Sequence, residues 1–170
     1  QIVVAEILDH PTHNEQATGK IIQVIGEPGT KGIATEIAIH AHGIPTDWPK
    51  AVRRQARAFG REVSGESKKG RVDLRDANLV TIDGADARDF DDAVFSEPSG
   101  DGYRVLVAIA DVAHYVEKGS PLDRQAIRRA TSVYFPDRVV PMLPEALSNG
   151  LCSLKPQVDR LCMVCEMRVS

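Results

Sequence analysis

Five aspartates fall within the ten residues Asp83-Gly84-Ala85-Asp86-Ala87-Arg88-Asp89-Phe90-Asp91-Asp92. Carboxylates this dense repel one another, which keeps protons on them unless a cation stabilises the ionised forms. Hard oxygen donors from one short segment suit Mg2+ or Mn2+, and a metal held this way usually acts on phosphate. Alternation along an extended chain puts Asp89 and Asp91 on one side and Asp92 on the other. The turn at 84–88 lets Asp83 fold back toward them, so these four carboxylates could surround one or two cations. Two cations about 4 Å apart would clamp the attacking and leaving oxygens of an in-line displacement at phosphorus. A Ca2+ loop would need D-x-D-x-D-G spacing with a closing Glu, and that pattern is absent. A plain acidic surface turn is the competing account. The apolar run Leu79-Val80-Thr81-Ile82 leading into the cluster favours a site.

Charge is distributed unevenly around this loop. Lys50 to Arg75 carry nine Lys or Arg against three acids, whereas Asp76 to Asp92 carry six acids against one Arg. The formal net charge of −3 hides that asymmetry. A basic segment attracts a polyanion and an acidic loop holds the cation that cuts it, which is what a phosphate-backbone enzyme needs. No stretch approaches the length of a membrane span, so no membrane partner is expected. An odd set of cysteines, Cys152, Cys162 and Cys165, fits a reducing compartment and a cytoplasmic location. Cys162 and Cys165 would point to opposite faces of a strand, and read as buried core thiols without metal.

The elements that must position these groups are of both kinds. Ile2 to Leu8 and Lys20 to Ile25 read as strands, with a third segment of undecided type over Ile33 to Ile39. His10 and His13 lie in the polar loop between the first two and read as solvated groups. The glycine-bearing loop at 26–32 reads as a turn, not a phosphate loop. A helix follows: Pro49 suits its first turn, Val52, Ala56 and Phe59 share one face, and Gly60 fits just past its end. Lys50, Arg53, Arg54 and Arg57 occupy the other face, where a solvated surface and an RNA-facing one are equally open. Residues 61–72 form a polar connector. Leu79 to Ile82 reads as the strand delivering the aspartates, and 93–95 with 103–110 as a hairpin. The run at 105–110 suggests a strand buried on both faces. Ser120 with Pro121 should cap a helix reaching about Ala130. This order points to an α+β fold. Both termini fall inside strand patterns, so the sequence reads as a piece of a longer protein.

The run from Thr81 to Val94 resembles the catalytic signature of the RNB family of exoribonucleases (ribonuclease II and ribonuclease R). So do Val107-Ala108-Ile109-Ala110-Asp111-Val112, Thr131-Ser132-Val133-Tyr134-Phe135-Pro136, Val140-Pro141-Met142-Leu143-Pro144 and the block from Leu147 to Leu154. The resemblance implies the C-terminal part of an OB-type cold-shock β-barrel over 1–40, then a basic helix and connector over 41–72. The N-terminal part of an RNB catalytic domain, truncated, would occupy 73–170. It also implies processive 3′-to-5′ hydrolysis of single-stranded RNA to nucleoside 5′-monophosphates, with Mg2+ or Mn2+ as cofactor.

Asp83, Asp89, Asp91 and Asp92 match the family's four acidic positions. The match implies Asp83 and Asp92 as direct metal ligands and Asp91 as the carboxylate most critical to catalysis. Asp89 would act in support, through a water or a second cation. Asp86 falls outside the four and reads as a turn residue. Tyr134 matches an aromatic that stacks on the 3′-terminal base, although without the resemblance a half-buried loop tyrosine would fit equally. Asp111 reads as a structural group and His114 as a partly exposed one. The second half of the catalytic domain, a transition-state Arg and an S1 RNA-binding domain have no counterpart here. The isolated chain is therefore expected to be inactive, and an RNA-binding piece using the basic 50–75 segment is the alternative reading.

Overall fold

A computed structural model describes all 170 residues. Two compact units emerge: residues 1–47 together with 133–140, and residues 48–132 together with 141–170. The fold is α+β, with three small antiparallel sheets and short helices.

In the first unit, β1 (Ile2–Asp9) pairs antiparallel with β2 (Thr18–Gly26), and irregular register steps bend the ribbon. The β-branched residues that favour these strands are only partly covered, and Ile7, Leu8, Ile21, Ile22 and Val24 remain exposed. The undecided segment is a helix, α1 (Ile33–Ala41). Its pattern was ambiguous because isoleucines at 33, 37 and 39 suit a strand as well. Thr35 and Ile39 lie one turn apart and are both buried. Gly32 starts the helix at φ 81°, a left-handed conformation that other residues adopt at a cost. A small hairpin with strands of two residues each, β5 (Val133–Tyr134) and β6 (Val139–Val140), completes this unit.

The second unit starts with α2 (Lys50–Ala58), which buries Val52 and Ala56 as its pattern requires. Pro49 sits at the cap position just outside it. A single turn, α3 (Gly65–Lys68), is capped by the Ser64 hydroxyl. β3 (Asp92–Ser99) and β4 (Gly102–Ala110) form a hairpin, and β7 (Cys162–Val169) adds to the far side of β4. The Ser120 hydroxyl accepts the Asp123 N–H at 3.1 Å and caps α4 (Pro121–Arg129) as anticipated. Leu122, Leu147 and Leu151 form the centre of the core with Val52 and Tyr115.

Three expectations are corrected. The strand over Leu79–Ile82 shrinks to one bridge, in which Val80 and Val94 exchange backbone bonds of 2.9 and 2.8 Å. Beyond Val80 the chain swings into the aspartate turn, so this segment's pairing with β3 ends at that bridge. β4 is fully covered on one face only: Leu106, Ala108 and Ala110 are buried, while on the other face Val105 and Val107 are half-buried and Ile109 is 44% exposed. Its apolar run reflects one buried face and one half-covered face. Of the paired thiols, Cys162 is half-buried and Cys165 exposed, because β7 lies at the sheet's edge.

Candidate active site

The backbone of the aspartate loop is held by hydrogen bonds at several points. The Ala87 N–H bonds the Gly84 carbonyl at 3.0 Å and closes the turn after Asp83. The Ala110 N–H, at the end of β4, bonds the Asp91 carbonyl at 2.9 Å. Asp92 opens β3 opposite Ile109.

Between these points sits a clamp that periodicity does not reveal. Ser153 is fully buried; its hydroxyl donates to the Arg88 carbonyl at 2.8 Å and accepts the Phe90 N–H at 3.0 Å. The Leu154 N–H adds a bond to the Phe90 carbonyl at 2.8 Å. Asp89 is thus bracketed by anchored neighbours. Ser153 is itself steadied by the Arg160 side chain, which donates to its carbonyl at 2.9 Å. The segment reaches the loop through a wide helical turn at Leu147–Leu151, kinked at Gly150. The signal available in sequence was a hydroxyl set between the apolar Cys152 and Leu154.

Electrostatics tie the four matched aspartates together. The Asp91 carboxyl is raised above the ordinary carboxylate range, first by dehydration from surrounding protein and then by the charges of Asp89, Asp92 and Asp83. Its carboxylate still reaches solvent, so that dehydration is partial. Asp86 does not contribute, in keeping with a turn residue. Beneath the loop, burial pushes the Cys152 thiol up to about 12, and the Asp91 charge adds to the shift.

The donor set is entirely carboxylate oxygen, and the mutual repulsion at Asp91 is what a hard divalent cation would relieve. As the side chains stand, no three His, Cys, Asp or Glu residues form a group that could hold a metal ion.

The other anticipated residues lie elsewhere. Arg53, Arg54 and Arg57 of α2 line a shallow depression of about 360 Å3 together with Lys50. None of the four forms an ion pair with a carboxylate, and the face opposite them carries Val52 and Ala56 into the core. Tyr134 belongs to the first unit, where it is 66% exposed on β5. Asp111 is 8% exposed; it pairs with Arg71 at 2.7 Å and accepts the His114 N–H at 3.2 Å. It has a structural role, and His114 is exposed, bonding Ser67 at 3.1 Å.

The RNB domain model matches residues 71–170 and a cold shock domain model matches residues 1–49. Ribonuclease R of Escherichia coli (strain K12) is 59% identical over 170 residues, covering 99% of this chain and 21% of that protein. The chain thus spans about a fifth of that relative's length. Among solved structures, Mycoplasma genitalium RNase R in complex with double-stranded RNA superposes with a TM-score of 0.87 at 34% identity. The match covers 98% of this chain and 30% of that one. The same enzyme in complex with ribose methylated single-stranded RNA gives 0.87 at 34% identity, over 98% and 26% of the two chains.

Proposed function

Since this chain belongs to the RNB family, we propose that it supplies the acidic part of the site of a metal-dependent 3′-to-5′ exoribonuclease. The substrate is single-stranded RNA, shortened processively to nucleoside 5′-monophosphates. The observation that carries this reading is the raised Asp91 carboxyl, pushed up by Asp89, Asp92 and Asp83 in a loop whose backbone is fixed by Ser153.

Asp83 and Asp92 would hold Mg2+ or Mn2+ directly, with Asp91 and Asp89 completing the set. When bound, the metal supplies Lewis-acid stabilisation of charge developing on phosphate oxygens. The chain's own contribution is to orient. Backbone anchors at Arg88, Phe90 and Asp91 fix where the carboxylates stand, so little reorganisation is needed when the phosphate arrives. Tyr134 would stack on the terminal base, an interaction indifferent to base identity and therefore suited to a processive enzyme. Three free thiols accord with a cytoplasmic location, and no helix is long and apolar enough to cross a membrane.

A second reading has its own observation. Four cations on α2 without carboxylate partners suit a phosphate backbone, so the chain would bind RNA even where it cannot cut it. The two roles separate in one experiment. In a longer protein containing this segment, Asp91→Asn should abolish stepwise 3′ shortening of a 5′-labelled RNA in Mg2+ while binding persists. Unchanged shortening would reject the metal-site reading. The isolated chain should bind the RNA without shortening it, and stepwise cleavage by it alone would show that its site is sufficient.

A further inference from the structure

The hairpin that bears Tyr134 is too small to hold itself. Only Val133↔Val140 and Tyr134↔Val139 pair, and an isolated two-stranded ribbon of any size is marginal in water. Its tip is instead tied to α1. The Thr35 hydroxyl donates to Asp137 Oδ1 at 2.6 Å, and the Arg138 guanidinium pairs with Glu36 at 2.6 Å. Thr35 is 6% exposed, so its hydroxyl has few other partners to turn to. Asp137 sits at the first turn of α1, where the aligned peptide dipoles favour a negative charge. Gly32 leaves room for it: a Cβ there would come 3.1 Å from Asp137 Oδ2. Within the tip, the Phe135 N–H bonds the Arg138 carbonyl at 2.8 Å, which transmits the anchoring to the strand carrying Tyr134.

We propose that α1, chiefly through Thr35 and Asp137, is a positioning element that sets Tyr134 for stacking on an RNA base. The arrangement crosses the family boundary in sequence. Residues 133–140 fall within the RNB match, yet they pack with residues of the cold shock match. A stacking ring contributes in proportion to how little freedom it loses on binding, so an anchored hairpin binds better than a loose one. The inference rests on the reading that Tyr134 contacts RNA.

A double-mutant cycle on this chain tests it, with a 5′-fluorescent oligoribonucleotide followed by anisotropy. Thr35→Val should weaken binding about threefold to tenfold, the worth of one hydrogen bond. Thr35→Ser should bind as the parent does. In a Tyr134→Ala background, Thr35→Val should have no further effect. An equal loss in both backgrounds, or none in either, overturns the positioning role. If Tyr134→Ala alone changes nothing, the stacking reading itself fails and takes this inference with it. Should Thr35→Val not fold, Asp137→Ala at the exposed tip completes the same cycle. Amide hydrogen exchange gives a second readout. It should speed up at Tyr134 and Val140 in either anchor variant and stay unchanged in β3 and β4; exchange unaltered at the hairpin overturns the proposal.

Discussion

The Ser153 hydroxyl accepts the Phe90 N–H at 3.0 Å across 63 residues of sequence, and the same oxygen donates to the Arg88 carbonyl. One fully buried side chain thereby satisfies a donor and an acceptor on either side of Asp89. Stability and site geometry consequently depend on the same atom.

Ser153→Ala should leave both backbone groups without their partner in a dehydrated place. Each such group costs about 1–3 kcal/mol, so the loss should be roughly 2–6 kcal/mol, read from the urea midpoint. Ser148→Ala, which removes a hydroxyl bonded only to its neighbour Asn149, should cost under about 0.5 kcal/mol. Equal effects from the two substitutions would show that the clamp carries no special weight.

The Arg71–Asp111 pair should behave differently from the surface pairs around it. Asp111 is largely buried and also caps the short helical turn at Val112–His114, so Asp111→Ala should cost about 2–3 kcal/mol. Lys69 and Glu66 face solvent on both sides, and breaking that contact should cost no more than about 0.5 kcal/mol. Added salt should erase the second effect and spare most of the first. Thermal or urea denaturation of the two single variants at low and high salt checks both statements.

Cys152 offers a test by pH. Its folded-state thiol sits near 12 against an ordinary value of 9.0, so above pH 9 the unfolded chain releases a proton that the folded chain keeps. Fewer protons bound in the unfolded state means that stability falls as pH rises. The fall should be up to about 1.4 kcal/mol per pH unit between those values. Cys152→Ala should flatten that slope. Alkylation at pH 8 should mark the exposed Cys165 first and leave Cys152 unmodified until the chain unfolds. Rapid native labelling of Cys152 would contradict its burial.

What sequence disclosed and what it hid divide along separation in the chain. The aspartate loop was legible because five carboxylates in a short run are costly without a purpose, and local composition reports that cost directly. The α4 cap was legible for the same reason, since Ser120 and Asp123 are neighbours. The Ser153 clamp and the Thr35–Asp137 bond join residues 63 and 102 positions apart, and no periodicity encodes them. α1 was ambiguous because isoleucine suits both states locally, and only the burial of Thr35 and Ile39 one turn apart decides for a helix. The apolar run of β4 reported burial correctly for Leu106, Ala108 and Ala110 but could not say that Ile109 faces outward.

The basic face of α2 makes the last prediction, because an unpaired cation on a solvated helix and one that meets phosphate differ in a single observable. Each phosphate contact to a single strand displaces condensed counterions and adds about 0.7 to the slope of log affinity against log salt. Replacing Arg53, Arg54 and Arg57 by Gln should therefore lower that slope by about 2 if all three meet phosphate. The fold should survive, since the three project away from the buried Val52 and Ala56. Base preference should not change, because contacts to phosphate position the strand without reading it. Circular dichroism controls for the helix, and anisotropy titrations at several salt concentrations supply the slope. An unaltered slope in a folded triple variant would return these arginines to the role of a solvated surface, leaving RNA affinity to the Tyr134 hairpin and the cold-shock strands.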